Sequence, residues 1–260
     1  MEYALKRQLS FGIVFIFIVV AAVLSLYQAF VPEPTCFDGR QNQEEEKVDC
    51  GGPYCMACKV TKLEDIAVAS YHVFLVGGTY DAIAKIQNKN QQRGVRSFSY
   101  VFTFYDAEKN IIGEKRGADY VLAGQTRYII ENNIALFKPV GFMDFTVSPV
   151  IWEEQKISIG PAALPVFSKK YEQGTGSQGG FAHVVGTVQN ESPYSFSTID
   201  VAVVLLDKNR QPLAAGQTQI SGLRFGEKRD FTILFAKGTP MPAEIDAEAS
   251  TNLFDPSNVR

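Results

Sequence analysis

Ile86-Gln87-Asn88 returns as Val188-Gln189-Asn190, and the same offset of 102 residues (189 minus 87) carries Gly77-Gly78 onto Gly179-Gly180, Gly124 onto Gly226 and Arg127 onto Arg229. Phe104-Tyr105-Asp106 answers Leu205-Leu206-Asp207 one residue out of step, as a loop of different length produces. A repeat near ~100 residues is too long for a solenoid unit and has the period of tandem domains. The fold must be one that this length can build twice.

Each copy carries strand signals. Tyr100, Phe102 and Phe104 alternate with Val101, Thr103 and Tyr105, whereas the second copy runs without interruption through Val201, Ala202, Val203, Val204, Leu205 and Leu206. Alternation marks a half-buried strand and a continuous apolar run a fully buried one. Asp106-Ala107-Glu108-Lys109-Asn110 and Asp207-Lys208-Asn209-Arg210-Gln211-Pro212 follow as turns, because Asp and Asn bond their own backbone and tolerate left-handed conformations. No amphipathic helix of useful length follows residue 31. The expected fold is mainly β, two tandem immunoglobulin-like sandwiches of roughly seven short strands each.

Phe102-Thr103-Phe104-Tyr105-Asp106 resembles the FxLYD signature. The succession of an Asn-ending strand, a loop, this strand, a turn and a Gly-led strand resembles the small sandwiches of the FxLYD and late-embryogenesis-abundant type 2 families. The second copy keeps the framework, with Val203-Val204-Leu205-Leu206-Asp207 in place of the signature. The resemblance implies an extracytoplasmic adhesion, stress or scaffold module and transfers no catalytic residue.

Ahead of the repeat, Phe11 to Phe30 form an uncharged apolar run, preceded by Lys6 and Arg7 and followed by Glu44, Glu45 and Glu46. About 20 residues at ~1.5 Å rise match the ~30 Å hydrocarbon core of a bilayer, and the basic flank marks the cytoplasmic side. A cleaved signal peptide has a shorter apolar region and a small-residue exit, unlike Tyr27-Gln28-Ala29-Phe30-Val31-Pro32. The expected organisation is a cytoplasmic tail at 1–10, a transmembrane helix at 11–31 acting as signal anchor, a Cys-rich module at 32–59, and sandwiches at 60–154 and 155–260 outside the cytoplasmic membrane.

Cys36, Cys50, Cys55 and Cys58 all lie between the run and the first sandwich. Outside the cytoplasm they are expected to form two disulfides, which a segment too short for a core of its own needs. Sequence does not choose among the three connectivities, although a Cys55–Cys58 bond would close a very small ring. Cys36, Asp38-Gly39, Asn42, Glu45, Asp49-Cys50-Gly51-Gly52, Cys55 and Cys58 resemble a short module of many bacterial surface proteins, with Glu46 standing where Thr is usual. That resemblance implies surface exposure and names no activity.

Asp38, Asn42, Glu45 and Asp49 offer hard oxygens of the type Ca²⁺ takes in sets of about 6 to 8, against the plainer reading of a solvated acidic loop. Iron–sulfur, zinc and redox Cys-x-x-Cys chemistry fit less well. The fourth cysteine lies upstream, zinc needs reduced thiolates, and no βαβ pattern surrounds Cys55-Met56-Ala57-Cys58.

Hydrolytic machinery is not legible. His72 and His183 sit within strand patterns, no GxSxG or HExxH motif occurs, and Gly174, Gly176, Gly179 and Gly180 belong to a Gly/Ser/Gln loop at 171–180. A net charge of -3 with scattered Lys and Arg argues against nucleic acid. Tyr194 and Phe196, in the loop at 190–198, and Trp152, between the sandwiches, are the aromatic candidates for a binding surface. These readings lead to a non-enzymatic, membrane-anchored envelope protein for adhesion, scaffolding or assembly, with the bilayer and other envelope proteins as partners. A ligand- or Ca²⁺-sensing receptor module is the alternative, and an enzyme of unrecognised type comes third.

Overall fold

A computed structural model describes residues 2–30, 35–58, 62–157, 163–174, 181–236 and 239–260, with the side chains of the first helix described over 11–26. Two compact units divide at Lys62 and Leu63. The first contains helix α1, Glu2–Phe30. The expected helix is present, but among the described residues no helix is long and apolar enough to cross a membrane. The described side chains, 11–26, cover only ~24 Å at ~1.5 Å per residue, short of ~30 Å of hydrocarbon. The flanks on which the span was read, Lys6, Arg7 and residues 27–34, lie outside those side chains.

Among its described residues the second unit, 63–260, holds thirteen strands: β1 Ala67–Val76, β2 Thr79–Gln87, β3 Arg93–Tyr105, β4 Ile111–Val121, β5 Thr126–Ile134, β6 Phe142–Val147, β7 Glu153–Glu154, β8 Val166–Glu172, β9 Ala182–Gln189, β10 Phe196–Leu206, β11 Pro212–Leu223, β12 Lys228–Phe235 and β13 Glu244–Ser250. They form sheets β1-β2-β5, β4-β3-β6 with β7 on β3, β12-β9-β8 and β11-β10-β13. All pairings are antiparallel. The second half repeats the first strand for strand, β8 standing for β1 through β13 for β6.

Local chemistry explains the turns. The two-residue connection from Val76 to Thr79 holds Gly77 and Gly78 at φ 57° and 99°, which a tight hairpin requires and side chains resist. Asp106 Oδ1 accepts the amides of Glu108 and Asn110, and Asp207 Oδ1 those of Asn209 and Gln211. The residue before each turn closes, Lys109 or Arg210, is left-handed at φ 68° or 61°. Asn88 and Asn190, the residues after β2 and β9, are fully buried, each donating Nδ2 to two carbonyls, of Arg93 and Leu122 or of Tyr194 and Leu223.

Three apolar layers separate the four sheets. Phe102, Phe104, Ile86, Ile129 and Phe145 fill the first, between β1-β2-β5 and β4-β3-β6. Val184, Val203, Leu205, Ile233 and Phe235 fill the corresponding layer of the second half. Ile83 and Ile130 meet Ala202, Val204, Leu206 and Ala215 in the third, with Phe74 and Tyr128 at its margin. The outer face of β1-β2-β5 is thus packed on that of β11-β10-β13, which makes 63–260 one body. This accounts for the unbroken apolar run of β10, since both of its faces are covered.

Candidate functional site

In the first unit, residues 35–58 are held by Cys36–Cys55 and Cys50–Cys58, with Cα separations of 5.5 and 4.9 Å. The disfavoured Cys55–Cys58 ring is avoided. Lys47 and Cys50 exchange backbone hydrogen bonds, and the Gly51 amide donates to the Met56 carbonyl at 2.7 Å. Gly52 lies at φ 74°, and a Cβ there would collide with the Glu44 carbonyl oxygen, so the second glycine of Asp-Cys-Gly-Gly is a steric requirement.

Asp38, Asn42, Glu45 and Asp49 do come together, largely as turn-forming groups. Asp49 accepts the Gly39 amide at 2.9 and 3.1 Å, and buried Glu45 accepts the amides of Asn42 and Asp49 at 3.2 and 3.1 Å. Asp38 accepts the Asn42 side-chain amide at 2.8 Å and the Arg40 backbone amide at 2.9 Å. The Asn42 bond in particular holds the Asp38 carboxyl below its ordinary range. Among the described residues, Asn42 Oδ1 finds no hydrogen-bond partner, although it is buried. Cys36, Cys55 and Glu45 bring their sulfur and oxygen atoms within 4.8 Å of one another, but the disulfide occupies both thiols.

The aromatic candidates fall differently. Phe196 is 2% exposed and belongs to the core of the second half, against which half-buried Tyr194 also packs. Trp152 packs on the first core. The loop at 190–198 is organised inward by Asn190, whose Oδ1 accepts the Ser192 amide and hydroxyl. Beside this loop opens a cleft of about 950 Å³ lined by Arg224, Phe225, Glu227, Arg229 and Arg260. Phe225 is 66% exposed. Arg229 is committed to the carbonyls of Ser221 and Gly222 and to Glu227. The missed signal was the Arg224-Phe225-Gly226-Glu227 turn, which the 102-residue offset places over Leu122-Ala123-Gly124-Gln125.

A polar cluster crosses the seam between the halves. Arg127, with 8% of its side chain exposed, reaches Asp119 at 3.0 Å and Asp200 at 3.4 Å and bonds Ser250. Tyr120 donates to Asp200 at 3.0 Å. Burial pushes the Asp119 carboxyl up. Tyr128 gives its amide to Glu248 and its hydroxyl to Asp246, both at 2.7 Å. Burial pushes the Glu248 carboxyl up to about 7. These groups tie three sheets together; half-buried His72 on β1, its pKa lowered by burial, lines a cavity with Tyr128 and Asp246 at one end of the cluster, while His183 meets Glu172 at 3.0 Å on the far sheet.

No known family profile matches the chain, and no curated protein matches it. Among solved structures, a red sea bream transglutaminase aligns at 14% identity over 73% of this chain and 30% of its own, with a TM-score of 0.22. A superposition that loose carries no argument about fold or activity.

Proposed function

We propose that this chain is a non-enzymatic protein of the extracytoplasmic face, held to the membrane through Phe11 to Phe30 and presenting two tandem immunoglobulin-like sandwiches for adhesion, scaffolding or assembly with other envelope proteins. The two disulfides carry the reading. A 24-residue segment closed by two such bonds is a device of oxidising compartments, and it stands immediately beyond an uncharged apolar run. The helix supports it as well: Phe11, Phe15 and Phe17 are 66, 68 and 75% exposed, an apolar surface that lipid would cover. The FxLYD resemblance and the absence of a hydrolytic motif in the sequence point the same way.

Protease added to right-side-out membrane vesicles tests it. Digestion of residues 63–260 with a short membrane-retained fragment is expected, and full protection, or recovery of the chain in the soluble fraction, would reject the topology.

A second reading has one observation in its favour, the orphaned Asn42 Oδ1 among the carboxylates of Asp38, Glu45 and Asp49. These oxygens suit Ca²⁺, which would satisfy Asn42, although each carboxylate already serves backbone or side-chain amides. Stabilisation of the module by millimolar Ca²⁺, lost in Asp38→Ala, would favour this sensing role.

A further inference from the structure

The edge of a sheet is a row of unpaired backbone donors and acceptors, and proteins blunt such rows with charge, bulges or cover. The second half does so at β8. Lys169, Lys170 and Glu172 stand on this seven-residue edge strand, whose register breaks between Phe167 and Lys170 with Ser168 at φ 54°. Its counterpart β1, AVASYHVFLV, has ten residues and not one Lys, Arg, Asp, Glu or Pro. Among the described residues β1 pairs with β2 alone. Val68, Tyr71 and Leu75 are 38, 40 and 68% exposed. The one irregularity of β1 lies between Val68 and Ser70, which leaves Ser70 to Val76 in continuous register.

We infer that β1 is an interface for a second copy of this chain, the two β1 strands pairing antiparallel to join two three-stranded sheets into one of six. The hairpin at Gly77-Gly78 makes Val76, Phe74 and His72 the positions bonded to β2, so the amides and carbonyls of Leu75, Val73 and Tyr71 face outward. A two-fold register centred on Val73 sets Tyr71 against Leu75 of the other copy and His72 against Phe74, pairs of the kind that stabilise antiparallel sheets. Charge selects this occupant. A two-fold pairing brings each residue near the axis against its own kind, so β8 would set its two lysines against lysines, whereas β1 brings no formal charge to the contact. Seven paired residues cover only ~23 Å of edge at ~3.3 Å each, so the association belongs to the weak class.

Sedimentation velocity of the full chain in detergent, over a hundredfold concentration range, tests the interface. A monomer–dimer equilibrium is expected, and Val68→Lys with Tyr71→Lys should raise the dimer Kd at least about tenfold, while Leu234→Lys on β12 leaves it within about twofold. Disulfide trapping supplies a readout that does not depend on how the lysines are tolerated: mixed Tyr71→Cys and Leu75→Cys chains should crosslink, and Tyr71→Cys mixed with Leu234→Cys should not. A monomer throughout, a dimer unaffected by the β1 lysines, equal disruption by Leu234→Lys, or no Tyr71–Leu75 crosslink would overturn the inference.

Discussion

Thr103 and Val204 occupy the same place on the central strands of the two halves, one residue before Phe104 and Leu205. Thr103 is half-exposed on the outer face of β4-β3-β6, while Val204 is fully buried in the seam. The same sheet therefore has one apolar face in the first half and two in the second. The alternation Phe102-Thr103-Phe104 and the run Val203-Val204-Leu205 are consequences of what lies across from each sheet. The equivalent arginines diverge for the same reason. Arg127 is drawn into the seam by Asp119 and Asp200, and Arg229, on the uncovered sheet, caps a turn of its own half. A shared framework position thus carries different work according to which face a neighbour covers.

The largest asymmetry should appear at the arginines. Arg127→Met leaves Asp119 and Asp200 without their buried cation and should cost about 3 kcal/mol in denaturant unfolding, whereas Arg229→Met, more exposed, should cost less than ~1 kcal/mol. Equal costs would break the comparison. Asn88→Ala and Asn190→Ala test its converse, because both side chains satisfy two buried carbonyls; each should lose ~1–3 kcal/mol, and alike.

Glu248 sharpens the role of the seam through pH. Its carboxyl rises from the ordinary 4.5 to about 7 in the folded chain, so between these values the folded state binds more protons than the unfolded one. Stability should fall as pH rises from about 4.5 to about 7 and level off above, by roughly 1–3 kcal/mol, and Glu248→Gln should flatten that slope in melts recorded across the range. The smallest effect is expected at the paired positions themselves: Val204→Thr should cost ~1–2 kcal/mol and Thr103→Val within ~0.5 kcal/mol.

Much of the β architecture was legible because turn chemistry and side-chain period are local. Asp106, Asp207, Asn88 and Asn190 declare their turns and strand ends within a few residues. The continuous run of β10 also announced burial on both faces. What covered it was not legible, since Ile83 and Ile130 lie some seventy or more residues from Val204 and no period connects them. Cysteine pairing was narrowed by ring size and then set by the fold of residues 35–58. Of the aromatic candidates, Phe196 alone is buried where exposure was expected: it follows a loop, yet begins β10 and belongs to the core, whereas the cleft beside it is lined by Arg224 and Phe225 on another turn.

The seam also bears on the order of synthesis. A chain made from its N-terminus completes β1 to β6 about a hundred residues before β13. At translation rates of about 5–20 residues per second, the apolar face of Ile83, Ile130 and Phe74 stays uncovered for roughly 3–12 s before β10, which ends at Leu206, arrives to meet it. During that interval the first half is a finished sandwich with an unfinished surface, and its partner has to be the next half of its own chain and not a neighbour's.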